Sequence, residues 1–279
     1  MSFKQTIGVI GQGFVGTAIK EGFKDYVNIE TYDKYKDSTC STLKELSEKA
    51  EIIFVCLPTP MKSTGECDLS IVSETIFNLD SYNNNNVAVI KSTILPGTTE
   101  KFNSECKNIQ VVFNPEFLTE ANFINDFKNQ NRVILGGPRP GTTKVKNLYR
   151  KCYPTASLIK TGSNTAEMVK YFINCFLATK VSFSNEISQI CEKINVDYDK
   201  VVEYALYDTR LGKSHFSTPG PDGKMGFGGS CFPKDVNAMI NFIISYGLEP
   251  KVLAAVWNKN LEVRPERDWE RLKGRAVSE

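Results

Sequence analysis

The chain has 279 residues, eight cysteines, one histidine and a near-balanced charge, 34 Lys+Arg against 32 Asp+Glu. That balance excludes a nucleic-acid binder working by counterion release, and 41% hydrophobic with 24% charged residues excludes a disordered chain. No run of about 18 apolar residues is available to span a membrane, no secretory apolar segment is legible near the start, and scattered cysteines without a Cys-x-x-Cys pair argue against a disulfide scaffold or a zinc site. A cytoplasmic protein with free thiols, without metal, nucleic-acid or membrane partners, is the expectation.

Short apolar runs predict strands at 6–11, 27–33, 51–57, 87–91, 109–114, 133–136 and 156–160. Helical spacing predicts helices over 14–25, 43–49 and 69–79 and from near residues 97, 118 and 141. This alternation belongs to an α/β fold, a Rossmann-type doubly wound parallel sheet covered on both faces. The pattern changes after residue 160. Residues 164–193 hold no Pro or Gly and carry apolar side chains at helical spacing. Such a helix is about 45 Å long, and its apolar positions on more than one face suggest burial by a second subunit. Helices over 198–208, 234–246 and 250–261 are also expected, with a Gly- and Pro-rich loop at 218–229. The expected domains are therefore 1–160, the sheet, and 161–279, mostly helical around the long helix.

Gly11-Gln12-Gly13-Phe14-Val15-Gly16 is a G-x-G-x-x-G between a strand and a helix, and Asp33 ends the next strand. That context marks a dinucleotide site. Gly11 permits the tight turn, Gly13 backbone approach to a pyrophosphate, and Gly16 close helix–sheet packing, with Phe14 and Val15 opening the helix whose N-terminus faces the phosphates. Asp33 accepting from ribose hydroxyls favours NAD; Lys34 and Lys36 are a counter-signal that would tolerate a 2′-phosphate.

Three segments end strands: Val55-Cys56-Leu57-Pro58-Thr59-Pro60, Lys91-Ser92-Thr93 and Asn114-Pro115-Glu116-Phe117-Leu118-Thr119-Glu120. Open α/β sheets bind ligands at such carboxyl ends. A fourth segment, Gly226-Phe227-Gly228-Gly229-Ser230-Cys231-Phe232-Pro233-Lys234-Asp235, sets Cys231 just before a helix. From about residue 5 to 261 these motifs, in order, resemble the UDP-glucose/GDP-mannose dehydrogenase family. Glu167-Met168-Val169-Lys170-Tyr171-Phe172-Ile173-Asn174 resembles the family segment carrying a Lys and an Asn.

The resemblance implies NAD-dependent four-electron oxidation of a nucleotide sugar, UDP-glucose to UDP-glucuronate first among the candidates, through a thioester. Other candidates are GDP-mannose and UDP-N-acetylmannosamine. The chemistry assigns roles. A thiolate presents the aldehyde level as a thiohemiacetal, and Cys231 at a helix start suits it. Lys170 and Asn174, at i and i+4, can converge on the oxyanion. Glu116 is the candidate base for hydrolysis, Thr93 and Asp235 position water, and Glu120 has a supporting or base role. Thr59, Pro60, Thr93 and Lys234 join the cofactor set. Phe117, Leu118, Glu120, Lys170, Asn174, Arg210, Lys213, His215, Phe227 and Gly228 join the substrate set, with Arg210 reaching across a dimer formed through 164–193.

Structural readings stand beside these: Cys231 as a packed thiol, Lys170 as a solvated residue, Glu116, Glu120 and Asp235 as helix-dipole partners, Thr93 as a cap, His215 as a stacking residue. The glycines of 219–229 would let the loop approach sugar closely. Family members carry a third, nucleotide-binding domain, and the chain is expected to be a short form without it, with a neighbouring subunit as a candidate replacement; Ala121 also stands where the family usually has Gly. Two rival readings are a non-catalytic partner of a full-length homologue and a one-step 3-hydroxy-acid dehydrogenase.

Overall fold

The computed structural model describes residues 5–278. They fall into two compact units, 5–59 with 69–170, and 60–68 with 171–278. The division expected at residue 160 thus falls inside the long helix instead, and the segment 60–68, expected with the sheet, groups with the second unit.

The first unit holds strands β1 (Thr6–Ile10), β2 (Asn28–Tyr32), β3 (Ile52–Val55), β4 (Val87–Ile90), β5 (Gln110–Phe113), β6 (Arg132–Gly136) and β7 (Ser157–Thr161). Helices α1 (Phe14–Phe23), α2 (Leu43–Lys49), α3 (Ser70–Ser81), α4 (Thr98–Glu105), α5 (Phe123–Lys128) and α6 (Arg139–Cys152) lie between them. The sheet order is β2-β1-β3-β4-β5-β6-β7. Chain order reverses between β1 and β3, the crevice where such sheets take ligands.

Side chains alternate between faces. Ile52 and Phe54 of β3 join one core layer with Phe23 and Tyr149. Ile53 and Val55 join the other with Leu46, Ile76 and Phe102. Burial on both faces is why these strands read as uninterrupted apolar runs. Helix α2 begins and ends as expected because its start is capped: Thr42 Oγ1 accepts from the Glu45 amide at 3.1 Å, and the Glu45 carboxylate accepts from Ser41 N at 2.8 Å.

The sheet departs from the expected all-parallel arrangement at one seam. β5 meets β6 antiparallel through Phe113 and Gly136, while β6 and β7 are parallel to each other. An apolar run reads the same in either direction, so the sequence carries no strand polarity. Beside the seam, the Asn114 amide donates to the Ile134 carbonyl at 2.9 Å, a side chain standing in for a ladder bond. The helix expected from near residue 118 starts at Phe123, because residues 120–122 form a turn first.

Helix α7 (Ser163–Lys193) begins in the first unit and continues into the second. The second unit adds α8 (Tyr198–Ala205), α9 (Phe232–Ser245) and α10 (Lys251–Val263). Helix α8 stops three residues short of the expected 208, and α9 starts two residues before the expected 234. A small core of Met61, Trp269 and Ala276, with Trp257 and Leu272 against it, ties the segment after α10 to the segment 60–68. The Met61 amide donates to Ala276 O at 2.8 Å.

Glu167 on α7 is fully buried and caps α4: the Gly97 and Thr99 amides donate to its carboxylate at 2.8 and 2.9 Å. Burial pushes its pKa above the ordinary carboxylate value, opposed by the bonds from Thr99 and Gly97. A carboxyl raised in the fold subtracts stability as pH climbs from its ordinary value through the raised one. Glu167→Gln keeps one acceptor and lacks this dependence. It should lower the unfolding free energy by about 1–3 kcal/mol. In urea titrations the gap to wild type should narrow as the pH rises from about 4; a widening gap would contradict the burial argument.

Candidate active site

In the first unit, the glycine loop follows β1. Gly11 adopts φ 85°, and a Cβ there would lie 2.5 Å from the Cys56 carbonyl oxygen. A Cβ on Gly16 would lie 1.9 Å from Gly11 O, so α1 can sit on the loop only without a side chain there. Gly13 is the N-cap of α1, with no side-chain cap, and the space its Cβ would occupy is open. The start of α1 therefore presents its first amides to an anion. The Asp33 carboxylate accepts from Gln12 N (2.6 Å), Tyr35 N (2.9 Å) and Lys36 N (3.2 Å). Three bonds leave a carboxylate room for a further donor such as a ribose hydroxyl. Lys36 is already engaged, its ammonium donating to Gln12 O at 2.7 Å. These residues fit a dinucleotide. Phe14 is exposed and packs edge-on to Phe123 at 5.3 Å, while Val15 packs against the core.

Past β3 and β4, Thr59 Oγ1 donates to Thr93 O at 2.8 Å, and both residues are buried. Past β5, the Glu116 carboxylate has two tethers: Phe117 N donates to Oε1 at 2.8 Å, and the Lys91 ammonium lies 3.0 Å from Oε2. Lys91 also donates to Asn114 Oδ1 at 3.0 Å, which accepts from Tyr149 Oη at 2.7 Å. Lys170 donates to the Glu116 carbonyl oxygen and lies over the Phe117 ring at 5.6 Å. Leu118 packs against the core, and Glu120 is exposed in the turn before α5. Lys91, Asn114 and Tyr149 were not singled out in the sequence. The legible signal was a lysine closing an entirely apolar strand.

In the second unit, Cys231 is the N-cap of α9. It is the exposed one of eight free thiols. Burial pushes Cys106 and Cys152 up to about 11 and Cys175 up to about 12, and raises Cys40 and Cys56 too. Those five are poor thiolates at neutral pH. Asp235, in the first turn of α9, is buried. Lys234 Nζ donates to one of its oxygens at 2.5 Å and Asn174 Nδ2 to the other at 2.6 Å. Burial pushes the Lys234 ammonium down, but the charges of Asp235, Cys231 and Cys67 and the bond to Asp235 together outweigh it and hold the value up. Lys170 and Asn174 lie one turn apart on α7, as their spacing requires, yet each engages a different group, Glu116 and Asp235.

The remaining substrate candidates are less committed. Arg210 is exposed and forks onto its neighbour Asp208 at 2.5 Å, and Lys213 is exposed. His215 lies 5.6 Å from the Phe232 ring; desolvation and the nearby Lys180 push its pKa below the ordinary value, which suits the stacking reading. Phe227 is buried against Phe232 and Trp257 at 6.0 and 6.3 Å, so its ring belongs to the protein interior.

Residues 21–153 match the NAD binding domain of the UDP-glucose/GDP-mannose dehydrogenase family, and residues 164–262 match its central domain. The chain belongs to that family. It is 36% identical over 232 residues to UDP-glucose 6-dehydrogenase of Rickettsia bellii (strain RML369-C), a match covering 80% of this chain and 52% of the relative. It is 37% identical over 224 residues to UDP-glucose 6-dehydrogenase TuaD of Bacillus subtilis (strain 168), covering 77% and 47%. The chain thus spans about half the length of the curated relatives it matches. Among solved structures, a UDP-glucose dehydrogenase from Pyrobaculum islandicum superposes with TM-score 0.85 at 27% identity, over 97% of this chain and 71% of that one. Mycobacterium tuberculosis 3-hydroxyisobutyrate dehydrogenase shares the fold, with TM-score 0.76 at 13% identity, over 95% of each chain. Among the described residues no helix is long and apolar enough to cross a membrane, and no cluster of His, Cys, Asp and Glu could hold a metal.

Lys91→Met strands the Glu116 carboxylate beside an apolar side chain. Loss of one partner of a buried pair is expected to cost about 3–5 kcal/mol, and Lys91→Met with Glu116→Gln less than the two single losses together. Urea unfolding of the four proteins measures this; additive losses would mean the pair is not coupled.

Proposed function

We propose that this protein is an NAD-dependent nucleotide-sugar 6-dehydrogenase, oxidising UDP-glucose at C6 to UDP-glucuronate through a thioester on Cys231. The observation that carries this reading is Cys231 itself: the exposed thiol among eight, at the N-cap of a helix, in a glycine-rich loop of a family member. Eight cysteines outside any disulfide support a reducing compartment, the cytoplasm.

Gly11, Gly13, Gly16 and the first turn of α1 would hold the dinucleotide pyrophosphate, Asp33 its ribose, and Thr59, Pro60, Thr93 and Lys234 its nicotinamide half. Bound NAD+ supplies the two-electron acceptor for each oxidation. The Cys231 thiolate adds to C6 of the aldehyde; the C–S bond forms as the carbonyl π pair moves to oxygen. Lys170 and Asn174 donate to that oxyanion. At the thioester, water loses a proton to Glu116, supported by Glu120, and adds to the acyl carbon. The C–S bond then breaks and the thiolate leaves. Thr93 and Asp235 orient the water. The Lys91 tether keeps the Glu116 carboxylate aimed, while the Lys234 and Asn174 bonds do the same for Asp235. Phe117, Leu118, Arg210, Lys213 and His215 remain candidate sugar and phosphate contacts.

NADH counted per sugar over a panel of UDP-glucose, GDP-mannose and UDP-N-acetylmannosamine tests this. Two NADH per UDP-glucose are expected, and at most one for Cys231→Ser. One NADH in the wild type would indicate single-step dehydrogenation. No turnover with any sugar, or full turnover of Cys231→Ser, would overturn the reading.

We also propose a homodimer through α7. Phe172, Phe176, Phe183 and Ile190 are exposed, the first two with rings stacked at 6.3 Å. A stripe of this kind needs a partner surface. Phe176→Glu with Phe183→Glu should convert a dimer to a monomer in sedimentation equilibrium, with unchanged far-UV dichroism. A wild-type monomer at micromolar concentration would exclude the dimer.

A further inference from the structure

The loop that presents Cys231 has little regular secondary structure, yet its backbone is held by buried polar side chains of the second unit that have no part in the chemistry above. Arg264, the C-cap of α10, is buried, and its guanidinium has three protein partners. Nε donates to Asp268 Oδ1 at 2.6 Å, Nη2 to Asp222 Oδ2 at 2.6 Å, and Nη1 to Met225 O at 3.2 Å. Asp268 uses its second oxygen to accept from Gly229 N at 3.0 Å, two residues before Cys231. One turn back on α10, Asn260 accepts from Phe227 N at 2.7 Å and donates to Phe227 O at 2.9 Å. Asn185 on α7 accepts from Gly226 N at 3.0 Å.

The glycines complete the pattern. A Cβ on Gly226 would lie 2.5 Å from Asn260 Oδ1. A Cβ on Gly228 would lie 2.3 Å from Arg264 Nη2 and 2.4 Å from Asp268 Oδ1. The room these two glycines leave is filled by the protein's own polar groups, so the sequence expectation that they make way for a sugar is replaced at these two positions. Burial raises the carboxyls of Asp222 and Asp268, but the Arg264 guanidinium together with backbone amides, Lys224 N on Asp222 and Gly229 N on Asp268, outweighs it and holds both below their ordinary value.

We propose that Arg264, bridging Asp222 and Asp268, is a positioning clamp that sets the loop 222–229 and thereby the Cys231 thiol, a role that rests on Cys231 being the nucleophile. A planar guanidinium can serve two carboxylates and a carbonyl at fixed angles, which a lysine ammonium on a flexible stem cannot. The buried charge cluster is a poor source of net stability, so its value lies in geometry. A nucleophile displaced by about 1 Å can lose on the order of 100-fold in rate.

The clamp is tested with Asp222→Asn, Asp268→Asn, Arg264→Lys and Arg264→Met, with kcat and KM on UDP-glucose and NAD+, melting temperature, and the alkylation rate of Cys231 by iodoacetamide read by intact mass. Asp268→Asn should lower kcat about 10- to 100-fold while KM for NAD+ stays within about twofold. Its Cys231 alkylation rate should differ from wild type by more than about threefold, and Arg264→Lys should not rescue. Asp222 is half-exposed and Asp268 partly buried, so their Asn variants decide the matter if the Arg264 variants do not fold. Folded Asp222→Asn and Asp268→Asn proteins with wild-type kcat and alkylation rate would overturn the clamp. Should the wild type turn over no nucleotide sugar, the functional reading fails by itself, and the alkylation rates alone support or overturn the clamp.

Discussion

A charge taken out of water must find its partner inside the protein, and that constraint organises both units of this chain. In the sheet unit it binds Lys91 to Glu116 and turns Glu167 into the cap of α4. In the helical unit it pairs Asp235 with Lys234 and Asn174, and seats Arg264 between Asp222 and Asp268. Each cluster adjoins a segment that has little regular backbone pairing of its own: the ends of β4 and β5, the turn into α9, the loop before Cys231. Where the backbone ladder stops, buried side-chain charge takes over the task of fixing the chain.

That arrangement separates two kinds of polar residue. Cys231 and Glu120 are exposed to solvent. Lys91, Asp235, Asn260 and Arg264 are buried and hold position. A fixed constellation needs both, since reacting groups are effective only when the groups behind them cannot relax. Helix α7 contributes to each kind along its length: Glu167 as a cap, Lys170 on the Glu116 carbonyl, Asn174 on Asp235 and Asn185 on the cysteine loop. The helix has 31 residues and no Gly or Pro.

The legibility of the chain followed the range of the interactions. Strand and helix positions came from period and capping, and α2 ran over the expected residues because Thr42 and Glu45 specify its start locally. The dinucleotide loop was legible for the same reason, since Gly16 answers to Gly11 within the same turn. The motif around Cys231 was legible as a pattern, but the use of its glycines was not. Gly228 was read as an opening toward a sugar, and its reason is Arg264, distant in sequence and adjacent in space. Lys91 was quoted within its motif and left without a role, because its partner Glu116 lies past the end of the next strand.

By itself, the sequence determined the α/β class, the order of the elements, the dinucleotide loop and the cysteine motif that marks the family, all of which depend on neighbours within a turn or a strand. Only the tertiary structure decided the antiparallel seam at β6, the grouping of 60–68 with the second unit, and the partners of each buried charge. The physical reason is one of pairing. Periodicity records whether a side chain is buried, but an apolar strand has no legible direction and a charge does not name its counterion. Those choices are made when distant segments are brought within about 3 Å of each other, the distance at which hydrogen bonds and ion pairs form.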